Sequence, residues 1–242
     1  MEEFTRLLDA GCGELGIVLT EKQKEQFFKY FQLLTEWNQV MNLTAITEMP
    51  EVVTKHFVDS LLVVNVFDGI RTEAYSCIDV GTGAGFPGIP LKIAFPQLQI
   101  TLLDSLNKRV GFLNTVIQEL GLTGITAGHG RAEDFGRNKE YREQFDLCVS
   151  RAVANLSTLS EYCLPFVKAG GEFLPYKSGK VEEEAREAES AVKKLGGSMR
   201  ETKTLVLPGT DVDRTFVPID KINMTPKKYP RKAGMPGKEP LK

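Results

Sequence analysis

The sequence has few of the residues that a membrane segment or a zinc site requires. Its longest strongly apolar run, Leu61 to Phe67, is far short of the ~20 residues that a membrane-spanning helix needs. It contains only 2 histidines, and its 4 cysteines form no C-x-x-C pair, so we expect no metal site. Basic and acidic residues nearly balance, with 30 against 32, which excludes a uniformly basic nucleic-acid coat but allows a local basic patch.

The composition and the cysteines are typical of a globular protein of a reducing compartment. The 242 residues are 42% hydrophobic and 26% charged. Cys77 and Cys148 lie in apolar, strand-like runs, where a reduced cysteine behaves as a small core residue. The first residues, MEEFTRLLDA, are acidic where a signal peptide would be basic. We therefore expect a cytoplasmic protein with no membrane partner and no obligate protein partner.

Three stretches of the chain differ in character. Residues 1–75 predict an N-terminal helical extension, because apolar residues between Phe27 and Trp37 recur at helical spacing. Residues 76–220 alternate strand and helix, which predicts an α/β fold with a mainly parallel sheet covered on both faces. Residues 221–242 form a proline-rich tail with 7 bases and 1 acid. The expected strands are 77–80, 100–103, 125–127, 145–149, 171–176, 204–207 and 216–219.

The strongest local signal is the run DVGTGAGFPG at residues 79–88, where a strand enters a glycine loop. Gly81, Gly83 and Gly85 allow a sharp turn and let a ligand lie against the backbone. Asp104 ends the next strand, where an acid can accept hydrogen bonds from a ribose. Loop and acid together predict a nucleoside ligand. The run has neither the P-loop nor the dinucleotide spacing, and it resembles the first motif of S-adenosylmethionine-dependent methyltransferases.

Two more clusters follow later strands. Ala132 and Glu133 come after the third strand, where such methyltransferases hold adenine, although acids are also common in any first helical turn. Arg151 follows the apolar strand 145–149, and the carboxyl ends of central strands are where open α/β sheets bind ligands. Because a buried charge needs a partner, Arg151 either orients a ligand or pairs with an acid.

Seven segments extend these motifs over nearly the whole chain. They are WN with NLT (37–44), HFVDSL (56–61), DVGTGAGFPGIPL (79–91), LLDSLNKRVGFL (102–113), RAE (131–133), SRAVANL (150–156) and YPRKAGMPGKEPL (229–241). Their identity and order resemble the RsmG family, also called GidB, of bacterial 16S ribosomal RNA (guanine-N7)-methyltransferases. One departure is YKSG at residues 176–179, which leaves the role of Lys177 open.

The resemblance implies a Rossmann-like S-adenosylmethionine-dependent methyltransferase fold with an N-terminal helical extension. It also implies S-adenosylmethionine as the cofactor, and 16S ribosomal RNA or the small ribosomal subunit as the partner. The cofactor contacts that the resemblance implies are Gly81, Phe86, Ala132, Glu133 and Arg151. We add the loop residues Gly83 and Gly85, and Asp104 from the ribose argument.

The chemistry of guanine N7 adds two expectations. N7 has a lone pair and no proton, so no general base is needed, and we predict no catalytic residue beyond Arg151 as an orienting group. RNA binding should use basic residues near the sheet edge and in the tail. The candidates are Lys108, Arg109, Lys177, Lys227, Lys228, Arg231 and Lys232.

Two other functions stay open at this point. A nicotinamide-dependent oxidoreductase would use a similar glycine loop, although the glycine spacing disfavours it. A non-catalytic RNA-binding module would keep the pocket only as scaffold. His56 and Asp59 lie one helical turn apart, and we expect them to form a hydrogen-bonded contact between the extension and the sheet.

Overall fold

The computed structural model describes residues 1–151, 153–179 and 181–242, so Ala152 of the SRAVANL segment lies outside the described residues. Within them, a nine-stranded sheet has the order β3-β2-β1-β4-β5-β8-β7, and β9 pairs with both β5 and β6. The strands are β1 (Ser76–Val80), β2 (Gln99–Asp104), β3 (Ile125–His129), β4 (Phe145–Arg151), β5 (Val167–Lys177), β6 (Gly197–Met199), β7 (Lys203–Val206), β8 (Asp213–Phe216) and β9 (Ile219–Lys221).

The sheet is parallel from β1 to β5, as the alternation of strands and helices predicts. The last strands are antiparallel, with β8 and β9 both lying beside β5. The predicted strand 216–219 is wrong in one respect, because β8 ends at Phe216 and β9 begins at Ile219. Pro218 lies in this break, and proline cannot donate a ladder hydrogen bond. Strand β6 was not predicted.

The helices cover both faces of the sheet. They are α1 (Glu2–Glu14), α2 (Glu21–Met41), α3 (Met49–Val52), α4 (Asp59–Leu61), α5 (Gly88–Ala94), α6 (Asn107–Glu119), α7 (Ala132–Phe135), α8 (Leu156–Cys163), α9 (Glu182–Lys194) and α10 (Met235–Lys238). A π-helical segment, Val53–Val58, joins α3 to α4, so residues 49–61 form one continuous but irregular helix. None of the described helices combines the length and the apolar character needed to cross a membrane.

The N-terminal helices share one hydrophobic core with the sheet. Phe27 and Phe57 pack in the same buried cluster as Phe112 of α6 and Val149 of β4. The opposite face of the sheet has its own cluster under α8 and α9. The division at residue 75 is therefore one between chain segments and not between separate cores.

The C-terminal tail also lies against the body of the protein. Lys221 ends β9 and is only 1% exposed, and its ammonium group donates to the backbone carbonyls of Leu164 and Val167 at 2.6 and 2.9 Å. Arg142 donates to the carbonyl oxygen of Tyr229 at 2.8 Å. The predicted boundary at residue 220 falls inside β9, and the residues after it are held by hydrogen bonds from the core.

Candidate cofactor cleft and its surroundings

A cleft opens at the carboxyl edge of the sheet, where the loops after β1 to β4 meet. It encloses about 490 Å³, part of it open to solvent. Its walls are formed by Val80, Gly81, Leu103, Ser105, Gly130, Arg131, Ala132, Glu133, Val153 and Tyr162. Of the residues predicted to bind the cofactor, Gly81, Ala132 and Glu133 line this cleft. Sequence reasoning missed Tyr162, because a tyrosine on an amphipathic helix carries no signal for a ligand.

The glycine loop needs glycine at Gly81 for two reasons. Its φ is +72°, a conformation that residues with a side chain rarely adopt. A Cβ at this position would also lie 2.6 Å from a methyl group of Val153, which covers the loop from the β4 side. Gly83 has φ +61° and a Cβ there would meet no described atom within 4 Å, so this side of the loop is open.

Asp79 anchors the glycine loop from below. Its Oδ2 accepts hydrogen bonds from the hydroxyl of Thr82 at 2.6 Å and from the amide of Gly88 at 2.8 Å. Its Oδ1 is buried and has no hydrogen-bond partner among the described residues. Burial raises the pKa of Asp79 to about 6, against the opposing effect of those hydrogen bonds. Sequence reasoning gave Asp79 no role, although an acid ending an apolar strand is itself a signal.

Asp104 braces the same loop from β2. One carboxylate oxygen accepts from the amide of Gly83 and the other from the amide of Leu106, both at 2.9 Å. The side chain is 3% exposed, and the guanidinium of Arg109 lies 3.5 Å away. Each carboxylate oxygen has a second lone pair, so Asp104 can still accept from a hydroxyl group. Its neighbours in the chain, Leu103 and Ser105, line the cleft, and the ribose contact remains a prediction.

Glu133 connects the cleft to the tail. It lies in the first turn of α7 and is 4% exposed. Its carboxylate accepts a hydrogen bond from the amide of Gly234 at 2.7 Å. The tail therefore closes against the wall of the cleft that the sequence assigns to adenine.

Arg151 and Phe86 lie on the other side of the glycine loop, toward the N-terminal helices. The guanidinium of Arg151 donates to Asp59 at 2.6 Å and lies 5.0 Å from the centre of the Phe86 ring. Neither residue lines the cleft as far as the described residues define it. Phe86 is 5% exposed and packs beside Tyr30 and Phe57, so its ring serves the core.

Asp59 and His56 form the contact between the extension and the sheet that the sequence predicts. Asp59 is fully buried, and its second oxygen accepts from Arg214 of β8 at 2.7 Å. His56 stacks on Phe86 with 4.5 Å between ring centres. Burial, reinforced by the charge of Arg151, lowers the pKa of His56 to about 4, so this ring is neutral at pH 7.

Apart from Arg109, which lies beside Asp104, the predicted RNA-binding residues fall into two groups. Lys177 pairs with Glu184 at 2.6 Å, and Arg231 pairs with the fully buried Glu161 at 2.7 Å. These two charges are compensated inside the fold, which argues against counting them in an RNA-binding surface. Lys108 is exposed at the start of α6. Three further bases are exposed, and we call them the tail lysines: Lys227, Lys228 and Lys232.

The residues of the cleft fit S-adenosylmethionine. Gly81 lines the cleft, and a Cβ at Gly83 would point into open space along the loop. A carboxylate stands at the end of β2, between two residues that line the cleft. Leu103, Val153 and Tyr162 provide apolar surface for a flat purine.

Comparison with known proteins assigns the chain to a family. The sequence model described as "GidB: rRNA small subunit methyltransferase G" matches residues 23–213. The chain belongs to this family. It is 55% identical over 231 residues to the Ribosomal RNA small subunit methyltransferase G of Lachnoclostridium phytofermentans, covering 96% of this chain and 95% of that protein. It is 51% identical over 241 residues to that of Limosilactobacillus reuteri, covering 99% and 98%.

Solved structures agree on the fold. TYW2 of M. jannaschii in complex with AdoMet aligns with a TM-score of 0.52 at 14% identity, covering 68% of this chain and 77% of that one. A SAM dependent methyltransferase from Aquifex aeolicus aligns with a TM-score of 0.50 at 15% identity, covering 70% and 93%. The predicted methyltransferase fold is confirmed. Membership of a methyltransferase family also supports S-adenosylmethionine as the cofactor and sets aside the oxidoreductase alternative.

Proposed function

We propose that this methyltransferase transfers the methyl group of S-adenosylmethionine to N7 of a guanine in 16S ribosomal RNA. In the cleft at the carboxyl edge of the sheet, Gly81 and Gly83 would hold the cofactor, Asp104 would accept from its ribose, and Ala132 and Leu103 would line the adenine site. The observation that carries the choice of N7 is the state of His56 and Asp59, the two titratable groups that contact Arg151.

Neither group is available as a general base. Both oxygens of Asp59 accept hydrogen bonds from arginines. The His56 ring contacts the guanidinium of Arg151 through Nδ1 at 3.3 Å and the hydroxyl of Thr44 through Nε2 at 2.8 Å, and burial lowers its pKa to about 4, so the ring is a weak base. An acceptor that must lose a proton, such as a hydroxyl group or an exocyclic amine, would need such a base. Guanine N7 does not.

The chain therefore acts by positioning. S-adenosylmethionine, when bound, supplies a methyl group that its sulfonium already activates. Alignment of such partners corresponds to effective molarities of about 10⁵–10⁸ M. Arg151, fixed by Asp59 next to the loop, orients the methionine carboxylate, an RNA phosphate or guanine O6. It does not bind N7, because a guanidinium there would block the nucleophile and repel the positive charge that develops on the purine.

The target guanine must be unpaired or flipped out. In A-form RNA the edge that carries N7 faces a groove too deep and narrow for protein side chains. The tail lysines lie on the segment that closes against Glu133, so they are placed to hold RNA phosphates near the cleft. Lys108 at the start of α6 and Arg109 beside Asp104 flank the cleft on the β2 side.

Replacement of the acceptor atom tests this function. We would transcribe 16S ribosomal RNA with 7-deazaguanosine, which has a carbon in place of N7, and assay it alone and assembled into small subunits. We expect incorporation of labelled methyl groups into ordinary RNA as 7-methylguanosine, and no incorporation into the 7-deaza RNA. A transcript with inosine, which keeps N7 but lacks the 2-amino group, is the control for disturbed RNA folding. Methylation of the 7-deaza RNA, or a different methylated nucleoside, would refute the choice of N7.

A further inference from the structure

The wall of the cofactor cleft that follows β4 is not held in place by burial. Val153 covers Gly81 and lines the cleft, yet it is 40% exposed. Ala154 is half-buried, and Asn155 is exposed and caps α8 by accepting from the amide of Thr158 at 3.0 Å. Residues 153–155 therefore bury little apolar surface before the fully buried Leu156, and polar contacts are needed to keep them in one position.

Lys177 and Glu184 provide these contacts. The ammonium group of Lys177, at the end of β5, donates to the carbonyl oxygen of Ala154 at 3.0 Å and to the carboxylate of Glu184 at 2.6 Å. The same carboxylate oxygen accepts from the amide of Leu156 at 2.6 Å. The pair thus bonds the backbone on both sides of Asn155.

The environment of this ion pair favours a firm contact. The side chains of Lys177 and Glu184 are 14% and 28% exposed, so water screens the pair less than an ordinary surface pair. Glu184 is in the first turn of α9, where the helix dipole favours a negative charge. Charge-assisted hydrogen bonds of this kind are the strong ones in proteins.

We propose that Lys177 and Glu184 are positioning residues that hold residues 153–156 against the glycine loop and thereby shape the β4 side of the cofactor cleft. The proposal rests on the assignment of the cleft to S-adenosylmethionine. It is independent of the choice of guanine N7. It also gives Lys177 a role different from the RNA contact that its position at a strand end suggests.

The opposite charges of the two residues separate the two roles. If Lys177 acts by attracting RNA, removing its charge weakens RNA binding, whereas removing the negative charge of Glu184 strengthens it. If the pair positions the cleft wall, both changes weaken cofactor binding and neither changes the salt dependence of RNA binding. The signs of the effects therefore decide between an electrostatic and a positioning role.

The experiment measures S-adenosylmethionine and RNA affinities for Lys177→Met, Glu184→Gln and the double variant in the full chain. We expect each single variant to raise the cofactor Kd and the KM for the cofactor about tenfold, the loss of one to two charge-assisted hydrogen bonds. The double variant should cost little more than either single variant, because both break the same unit. The KM for RNA should stay within about twofold of the wild type.

Two variants serve as controls. Glu187→Gln removes an exposed charge one turn further along α9 and should leave both affinities unchanged. Lys177→Arg keeps the charge and the donors and should retain most of the cofactor affinity. Opposite effects of the Lys177 and Glu184 changes on RNA binding, with cofactor affinity unchanged, would overturn the proposal. If the wild-type protein does not bind S-adenosylmethionine, the assignment of the cleft to this cofactor is itself refuted.

Discussion

The buried histidine between the extension and the glycine loop should make this protein sensitive to acid. His56 is 9% exposed, stacks on Phe86, and has its Nδ1 3.3 Å from the guanidinium of Arg151. Protonation of the ring would place a second positive charge beside that guanidinium. Burial is the larger cause and Arg151 the second cause of the lowered pKa of His56, about 4 against an ordinary 6.5.

The sign and size of the effect follow from linkage. Between pH 6.5 and 4 the unfolded chain takes up a proton on His56 and the folded chain does not, so stability falls as the pH falls through this window. A pKa of His56 lowered from 6.5 to about 4 corresponds to a loss of roughly 3 kcal/mol of folding free energy by pH 4. Asp79 works in the opposite direction, because its raised pKa of about 6 means that the folded state binds a proton first.

Comparison of variants separates the contribution of His56 to the pH dependence of stability from the contributions of other groups such as Asp79. We would measure the free energy of unfolding in urea from pH 7 to pH 4.5 for the wild type, His56→Gln and His129→Gln. The difference in the free energy of unfolding between the wild type and His56→Gln should decrease by roughly 2 kcal/mol over this range. His129 is exposed at the end of β3, so its variant should follow the wild type. Parallel curves for the wild type and His56→Gln, or an NMR titration that gives His56 a pKa above 6, would refute the reasoning.

Two further substitutions test the tail and the β2 side of the cleft. Replacing all three tail lysines with alanine should weaken RNA binding and reduce the slope of log K against log salt concentration by about 0.7 for each lost phosphate contact, with cofactor affinity unchanged. Arg231→Ala should instead lower the free energy of unfolding by about 3 kcal/mol, because Glu161 is left buried without its partner. Urea unfolding and salt-dependent RNA titration distinguish the two variants. Equal losses of stability, or equal losses of RNA affinity, in both variants would contradict the two predictions. Asp104→Asn should raise the cofactor Kd at least about tenfold in calorimetry, whereas the exposed Asp134→Asn beside the cleft should not.

The strand ends could be predicted from the sequence because they are determined by residues that are neighbours in the chain. Short apolar runs that stop at Gly81, Asp104 and Arg151 place those residues at the same edge of a parallel sheet, and the structure has them there. The break of the 216–219 strand could have been read from Pro218. These predictions need only the chain neighbours of each residue and the regular geometry of the sheet.

Partners distant in the chain could not be predicted in the same way. Nothing near Glu161 in the sequence shows that Arg231, 70 residues later, neutralises it in a buried position. The direction of the Phe86 ring is equally hidden, because the loop sequence does not show that Tyr30 and His56 form a surface for it. Charge and aromatic character are visible in a sequence, but whether they face a ligand or the core depends on packing between distant segments.

Three polar residues at or next to strand ends share one property that sequence reasoning did not identify, a hydrogen bond to the backbone of a neighbouring loop. Asp79 accepts from the amide of Gly88, Asp104 accepts from the amide of Gly83, and Lys177 donates to the backbone of the loop after β4. Each one fixes the backbone of a loop that borders the cleft. A substitution at any of them therefore moves a wall of the cleft, whether or not the side chain also touches the cofactor.

This dual role means that loss of affinity in Asp104→Asn does not by itself prove a bond to the ribose. A cofactor analogue without the ribose 2′-hydroxyl separates bracing from contact. If Asp104 only braces Gly83, the substitution lowers the affinity for S-adenosylmethionine and for the deoxy analogue by the same factor. If its carboxylate also accepts from the hydroxyl, the two changes are coupled, and the variant loses about tenfold less with the analogue than with the natural cofactor. We expect the coupled result, and equal factors in the two titrations would remove Asp104 from the set of cofactor ligands.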